Sequence, residues 1–164
     1  MVMLTLQCQL RFECQKDQEE VSELMRRFSS AMRFVFKRLL EGKKDGDIIR
    51  SIYPLFGLNY IYAHGALPQA KAIISSRKEL GRSPANLVFG GKKLFEELSK
   101  KHISGKRREE LLKKWRERRQ GMLFAVGKKH SKGNGNLGLV WADGRLFLRI
   151  TVEEKHWVHG EAKE

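Results

Sequence analysis

Basic side chains are concentrated in one segment of this 164-residue chain, where they are suited to bind anions. Residues 91–132 carry 15 Lys and Arg against 5 acids, whereas residues 1–90 carry 14 against 9 and residues 133–164 carry 4 against 5. Most of the net charge of +14 therefore lies in one block of the sequence. A local excess of this size favours a binding surface for nucleic acid over a diffuse aid to solubility.

Ten cations of this block are predicted to contact nucleic-acid phosphate, since each neutralised phosphate releases counterions and arginine in particular forms phosphate forks. They are Lys92, Lys93, Lys106, Arg107, Arg108, Lys113, Lys114, Arg116, Arg118 and Arg119. The glycine-rich loop 127–136 (GKKHSKGNGN) offers three further lysines as a clamp on the backbone, because loops beside strands often carry binding residues. These are Lys128, Lys129 and Lys132.

The alternative for the segment 104–121 (SGKRREELLKKWRERRQG) is an ordinary solvated helical face. Glu109 and Glu110 stand four residues before Lys113 and Lys114, the orientation that favours ion pairs along a helix. Such pairs would neutralise two lysines and leave most of the arginines uncompensated. Those arginines are Arg107, Arg108, Arg116, Arg118 and Arg119. The apolar residues Leu111, Leu112 and Trp115 have helical spacing, which predicts core packing rather than base stacking.

Residues that could form a catalytic or metal site do not converge in the sequence. The five histidines are scattered, and no group of thiolates or carboxylates accompanies His156 and His159. The adjacent acids Glu109 and Glu110 would not meet at one substrate atom, because neighbours on a helix point in different directions. Neither a nucleophile elbow nor a phosphate-binding P-loop occurs. We therefore expect no enzyme activity of the chain by itself, no metal and no cofactor.

Alternating and helical patterns predict the elements that would position the basic block. Residues 4–14 (LTLQCQLRFEC) alternate apolar and polar side chains, which predicts a strand. A long helix is expected to run from Asp17, its predicted cap, to about Glu41. Further helices are expected at 47–55, 60–80, 91–101 and 105–119. We also expect Pro68 to kink or split the helix that contains it.

The C-terminal part of the chain favours strands. The segments MLFAV (122–126), LGLVW (137–141), LFLRITV (146–152) and HWV (156–158) are β-rich, and 142–144 predicts a hairpin turn. A lone N-terminal strand is not stable, so it should pair with these segments. The predicted fold is α+β, with a small antiparallel β-barrel or sheet from residues 1–15 and 121–164. A helical domain, residues 16–120, would interrupt it.

Composition also predicts the cellular location of the protein. The sequence has no run of 18 apolar residues, so we expect no membrane span and no membrane partner. The N-terminus lacks the pattern of a secretory signal. On one strand, Cys8 and Cys14 would lie roughly 20 Å apart, too far to form a disulfide. A reducing cytoplasm is the simplest location.

Several ordered stretches resemble one protein family. LRFECQKDQEEVSELMRRFSSAMRFVFKRLLEG, with its Arg33-Phe34-Val35-Phe36 motif, resembles the N-terminal strand and first helix of the OrfB/TnpB-type proteins of insertion sequences. FGLNYIYAHGALPQAKAIISSRKEL and VFGGKKLFEELSKKHISGKRREELLKKWRERRQG are similar to later segments of a divergent branch of that family. The likeness extends over about residues 4–158.

The resemblance implies a nucleic-acid-binding function. Proteins of that family are RNA-guided DNA endonucleases related to the type V CRISPR effectors, and their N-terminal part is a wedge β-barrel interrupted by a helical recognition domain. The implied partners are a structured guide RNA and double-stranded DNA. The resemblance also implies that a short DNA motif is read near Tyr53, Asn59, Tyr60 and His64. From the residues alone, a helix cap and core packing explain these four side chains equally well.

The chain departs from that family in one respect. The family's RuvC-like nuclease domain with three metal-binding acids, and its zinc ribbon with paired cysteines, have no counterpart in the 164 residues. A natural truncation, a split gene and an isolated fragment are all compatible with the sequence. We therefore expect a non-catalytic nucleic-acid-binding module. Two alternatives stay open: a subunit that docks on a separately encoded nuclease half, with Trp157 as its anchor, and a generic basic RNA-binding protein.

Overall fold

The computed structural model describes residues 7–127 and 133–163. Its fold is α+β, as the sequence predicted, with five α-helices and one antiparallel sheet of four strands among the described residues. The helices are α1 (Gln15–Leu40), α2 (Asp45–Phe56), α3 (Tyr60–Glu79), α4 (Lys92–Leu98) and α5 (Gly105–Gln120). The strands are β1 (Gln9–Phe12), β2 (Leu137–Ala142), β3 (Arg145–Glu153) and β4 (His156–Lys163). In this part of the chain, no helix combines the length and apolar composition that a membrane crossing requires.

The sheet joins the two ends of the chain. Its strand order is β1-β4-β3-β2, and Leu10 on β1 stands opposite Ala162 on β4. The prediction that the N-terminal strand pairs with the C-terminal strands is therefore confirmed. Strands β1 and β2 form the two edges of the sheet, so within the described residues it is open and does not close into a barrel.

One predicted strand is not formed. Residues 122–126 have no regular structure, although their composition favours a strand. The buried hydroxyl of Ser29 on α1 accepts a hydrogen bond from the backbone N–H of Met122 at 3.0 Å and lies 3.1 Å from its carbonyl oxygen, to which it donates. Because the backbone of Met122 is satisfied by a helix side chain, it does not need a neighbouring strand.

Two details of the helices also differ from prediction. Helix α1 begins at Gln15, and the sulfur of Cys14 accepts a hydrogen bond from the N–H of Asp17 at 3.5 Å, so Asp17 lies in the first turn and is not the cap. Helix α3 is not split at Pro68. The ring of Pro68 is exposed, whereas Ala66 and Ala70 on either side are buried, so packing holds both halves in one helix.

The chain divides into two compact units. The sheet unit comprises Met1–Glu23 and Ala125–Glu164, and the helical unit comprises Leu24–Phe124. The predicted boundaries lay at residues 15 and 121. The first turns of α1 group with the sheet, where Nε2 of His156 on β4 lies 2.6 Å from Oε2 of Glu20.

The core of the helical unit is built from one apolar face of α1. Leu24, Phe28, Ala31 and Val35 recur at three- and four-residue spacing, and each is at most 1% exposed. Helix α3 faces them with Tyr62, whose ring meets that of Phe28 edge-on with centroids 6.4 Å apart. Small residues on α3 complete the face. They are Ala63, Ala66 and Ala70, and all are fully buried.

The contact between Glu20 and His156 predicts a pH effect within the sheet unit. The hydrogen bond to His156 lowers the pKa of Glu20 below its ordinary 4.5, with desolvation acting the other way and charge from His156 and Lys16 adding to the lowering. A depressed carboxylate pKa stabilises the fold above the unfolded pKa, and this contribution is lost as the pH falls through the folded pKa. We expect Glu20→Gln to reduce the loss of stability on acidification below about pH 4.5.

Urea denaturation between pH 3 and pH 7 measures this effect. The control is Glu154→Gln, since Glu154 is exposed in the turn between β3 and β4 and has no ion pair within 4.0 Å among the described side chains. Identical acid profiles for the Glu20 and Glu154 variants would show that the contact with His156 does not stabilise the fold.

Candidate nucleic-acid interface

The basic helix α5 is held against α4 by two of the arginines predicted to bind phosphate. Nη2 of Arg107 lies 2.7 Å from Oε1 of Glu97, and this partner raises the pKa of Arg107 above its ordinary value. Arg108 donates from Nη1 to the carbonyl of Leu98 at 3.0 Å. The start of α5 is therefore fixed on α4 by guanidinium contacts, and Arg107 is compensated where the sequence predicted it to be free.

The other end of α5 is fixed by Arg119 and Arg33. Arg119 donates to the carbonyl of Phe89 at 3.3 Å, and its guanidinium lies 4.9 Å from the ring centre of Trp115. Arg33 on α1 donates to the carbonyl of Arg119, one of the last carbonyls of α5, where a cation is favoured. Burial, and then the charge of Arg119, lower the pKa of Arg33 to about 10, so Arg33 is charged at neutral pH.

Trp115 packs inward, as its helical spacing predicted. Its Nε1 would lie 2.7 Å from a Cβ placed at Gly90, whose φ of +94° also favours glycine. Leu111, one turn earlier on the same face, is 6% exposed. The indole of Trp115 therefore holds the connection before α4 against α5.

Gly90→Ala is expected to destabilise the protein by about 1–3 kcal/mol, because the new methyl group must displace the indole of Trp115. Gly42→Ala is the matched control, since Gly42 also has a positive φ, +75°, but nothing lies within 4 Å of its added Cβ. Urea denaturation of both variants separates the cost of the Trp115 contact from the cost of the backbone conformation. Equal losses of stability in the two variants would show that the indole of Trp115 moves aside at no energetic cost.

Six of the ten predicted phosphate ligands are exposed and uncompensated. Within residues 7–127 and 133–163, no ion pair within 4.0 Å and no side-chain hydrogen bond engages them. They are Lys93, Lys106, Lys113, Lys114, Arg116 and Arg118. A seventh, Lys92, lies 3.6 Å from Glu96. The predicted clamp falls outside the described residues, since it consists of Lys128, Lys129 and Lys132.

The predicted ion pairs along α5 are wrong. Neither Glu109 with Lys113 nor Glu110 with Lys114 comes within 4.0 Å, although all four side chains are described and exposed. At 100° per residue, the three acids of α5 group on its outward side. Lys114 and Arg118 lie along one edge of the helix, next to the side that carries Glu110. That edge presents two cations that form no ion pair within 4.0 Å among the described residues, although Glu110 stands one turn before Lys114.

A groove between α4 and α5 adds cations that the sequence pattern did not single out. Lys100 and Lys101 follow α4 and line this groove with Arg108. The sequence placed both lysines at the end of a predicted helix, where they resembled ordinary solvated residues. Two adjacent lysines before His102 were only a weak sign of a binding site, because the pair gave no indication of the neighbouring groove.

The four residues of the predicted DNA-reading site comprise a helix cap, a pair of adjacent rings and a nearby tyrosine. Asn59 is the N-cap of α3, and its side-chain oxygen accepts from the N–H of Tyr62 at 3.1 Å. The ring of Tyr60, which is 63% exposed, lies 4.1 Å from that of His64, tilted by 35°. Burial, and then the nearby Tyr60, raise the pKa of Tyr53. Tyr60 and His64 therefore form a ring pair near the start of α3, and Tyr53 on α2 is near enough to Tyr60 for its charge to act on the Tyr53 hydroxyl.

Comparison with known proteins gives one family. A family model described as the SSO2105 N-terminal domain matches residues 3–164. No curated protein and no solved structure matches the chain significantly. The resemblance to OrfB/TnpB-type proteins stays a prediction.

Proposed function

The chain belongs to the SSO2105 N-terminal domain family, and from this premise we propose that it is a nucleic-acid-binding module without an active site of its own. The family description names a domain and no activity, so the proposal is supported by the residues. The observation that carries it is the set of six exposed, uncompensated cations defined above, five of them on α5. A surface whose cations lack internal partners retains its full charge for phosphate.

A row of cations along one edge of α5 supports phosphate as the ligand. Arg107, Lys114 and Arg118 are spaced by seven and four residues, which places them along one side of the helix. This edge is about 16 Å long at 1.5 Å per residue, enough to follow several nucleotides of one strand at about 3.4 Å each. Arg107 is held by Glu97, so Lys114 and Arg118 supply the free charges on this edge.

The proposed partners are a structured guide RNA and double-stranded DNA, which follow from the resemblance to OrfB/TnpB-type proteins. In this proposal the sheet unit is wedge-like and the helical unit is the recognition domain. The ring pair of Tyr60 and His64, with Tyr53 nearby, would contact the DNA motif, because Tyr60 offers an exposed aromatic face. Asn59 would act indirectly by fixing the start of α3, since its side chain caps that helix.

Sequencing the nucleic acid that copurifies with the chain from its host tests this proposal. One enriched structured RNA that maps beside the chain's own gene is the expected result. A mixture of ribosomal and transfer RNA would instead support a generic basic RNA-binding protein. Recovery of no nucleic acid at low salt would contradict both proposals, because the free cations of α5 should retain RNA under those conditions.

A second candidate function is docking on a separately encoded nuclease half. The observation that favours it is the exposed apolar surface of β2, an edge strand in the described sheet. Leu139 is 72% exposed and Trp141 is 71% exposed, and their spacing of two places them on one face. Trp157, the anchor that the sequence suggested, is 47% exposed. Trp141 is therefore the better anchor for this proposal.

Light scattering on the isolated chain tests the docking surface. An apolar edge of this kind is expected to make the chain self-associate at high concentration, and Leu139→Thr with Trp141→Thr is expected to restore a monomer. Threonine retains strand propensity, so the double variant preserves β2. A wild-type chain that stays monomeric at the highest concentration reached would count against the docking proposal.

A further inference from the structure

The groove between α4 and α5 has an apolar floor and a cationic rim. Phe95, Leu112 and Trp115 form much of the floor, and Lys100, Lys101 and Arg108 stand around it. The cavity has a volume of about 480 Å³, and its lining includes no acidic side chain among the residues that the structure describes. All of these residues belong to the helical unit. A flat apolar group that carries negative charge therefore fits the groove better than an apolar or a cationic ligand.

The two aromatic rings of the groove are not equivalent. The guanidinium of Arg119 lies over the ring of Trp115, so one face of this indole is occupied. Phe95 is 47% exposed, and its ring centre is 6.5 Å from that of Trp115. Phe95 thus offers the aromatic surface on which a planar group could stack. Base–aromatic stacking is the common way in which proteins hold unpaired nucleotides.

The rim supplies phosphate ligands on a fixed frame. One nitrogen of Arg108 donates to the carbonyl of Leu98, which orients the guanidinium and leaves its other N–H groups for a second acceptor. Lys100 and Lys101 are exposed, and no ion pair within 4.0 Å holds them in the described chain. An oriented arginine with two exposed lysines matches the phosphates on either side of one nucleotide.

We propose that this groove binds one unpaired nucleotide of the RNA, with its base stacked on Phe95 and its flanking phosphates on Lys100, Lys101 and Arg108. The proposal rests on the proposed nucleic-acid-binding function and assigns a specific site to it. Helix α5 contacts phosphates of any sequence, whereas the groove selects RNA that has an extruded base. The chain therefore distinguishes a bulged hairpin from a fully paired one.

Binding to three matched RNA hairpins tests the groove. One hairpin is fully paired, one carries a single bulged adenosine, and one carries an abasic site at the bulge. Wild-type chain is expected to bind the bulged adenosine about 5- to 100-fold more tightly than the abasic bulge, the range that stacking on one aromatic ring supplies. Phe95→Leu keeps the apolar volume but removes the ring, and it is expected to abolish this preference without changing the affinity for the paired hairpin.

Trp141→Leu is the matched control, because Trp141 is an exposed aromatic side chain of the sheet unit to which no nucleic-acid contact is assigned. If Trp141→Leu abolishes the preference and Phe95→Leu does not, the groove proposal is overturned. A second variant, Lys100→Gln with Lys101→Gln, serves if Phe95→Leu does not fold. It is expected to weaken binding of the bulged hairpin several-fold more than binding of the paired hairpin, and equal weakening would also overturn the proposal.

The failure of the groove and the failure of the proposed function give different results. If the wild-type chain binds all three hairpins with equal, salt-sensitive affinity, the groove proposal fails and the nucleic-acid-binding function stands. If the chain binds none of them at low salt, the function itself fails, and the groove proposal with it.

Discussion

Replacing Lys113, Lys114, Arg116 and Arg118 together by glutamine is expected to weaken binding of a structured RNA on the order of 100-fold at low salt. All four side chains are exposed and have no internal acid partner within 4.0 Å, so each loses a charge that was available to phosphate. Glutamine retains helix propensity, and α5 should stay folded. Fluorescence anisotropy with a labelled RNA hairpin measures the loss.

The control removes the same charge from elsewhere on the helical unit. Lys37, Lys43, Lys78 and Arg82 are exposed cations outside the basic block, and their replacement by glutamine lowers the net charge equally. We expect this control to weaken binding only several-fold, because it reduces the overall field without removing direct contacts. Equal losses for the two quadruple variants would show that total charge, and not the α5 surface, determines binding.

The second large effect is expected on stability. Phe28→Ala should lower the free energy of unfolding by about 3–5 kcal/mol, because it leaves a cavity in the centre of the helical unit. Phe28 is fully buried, and its ring meets that of Tyr62. A loss of this size is a large share of the total of about 5–15 kcal/mol that is typical of a domain. Urea denaturation followed by circular dichroism measures it.

Leu55→Ala provides the control for this prediction. Leu55 lies on α2 but is 59% exposed, so its truncation should change the free energy of unfolding by no more than about 0.5 kcal/mol. A cost below about 1 kcal/mol for Phe28→Ala would mean that the core collapses around the missing ring. It would also contradict the central position assigned to Phe28.

The core matters for the interface because the same helix supports both. Ser29 and Arg33 follow Phe28 on α1 and hold Met122 and the end of α5 through hydrogen bonds. Arg33 belongs to the motif on which the family resemblance rests, and in the structure it caps α5. The basic helix α5 and the segment after it are thus fixed by residues that lie about 90 positions earlier in the sequence.

Local sequence patterns predicted most of the helices and strands but not the places where the structure departs from these patterns. The periodicity of α1 and the alternation of the segment that contains β1 are properties of short stretches, so the sequence located both. The backbone of Met122 is satisfied by Ser29, 93 residues away, and no local pattern could reveal this. Likewise, Pro68 stays within α3 because the buried alanines around it pack in the helical core.

Charge composition located the candidate site without showing which cations are available. The partners of Arg107, Arg108 and Arg119 are Glu97 and two backbone carbonyls on other segments, so their compensation depends on how α4 packs on α5. The groove around Phe95 arises from the same packing and was therefore missed. Spacing within α5 predicted ion pairs that the described side chains do not form, because alternative rotamers of exposed residues differ little in energy.

The salt dependence of RNA binding by the purified chain tests the proposed function most directly. If the six exposed and uncompensated cations contact phosphate, the logarithm of the association constant should fall with the logarithm of salt concentration with a slope of about −4 to −6 between 50 and 200 mM. The quadruple variant of α5 should flatten that slope by roughly 3 to 4. An affinity that does not change over this salt range would show that the basic surface of α5 does not bind nucleic acid.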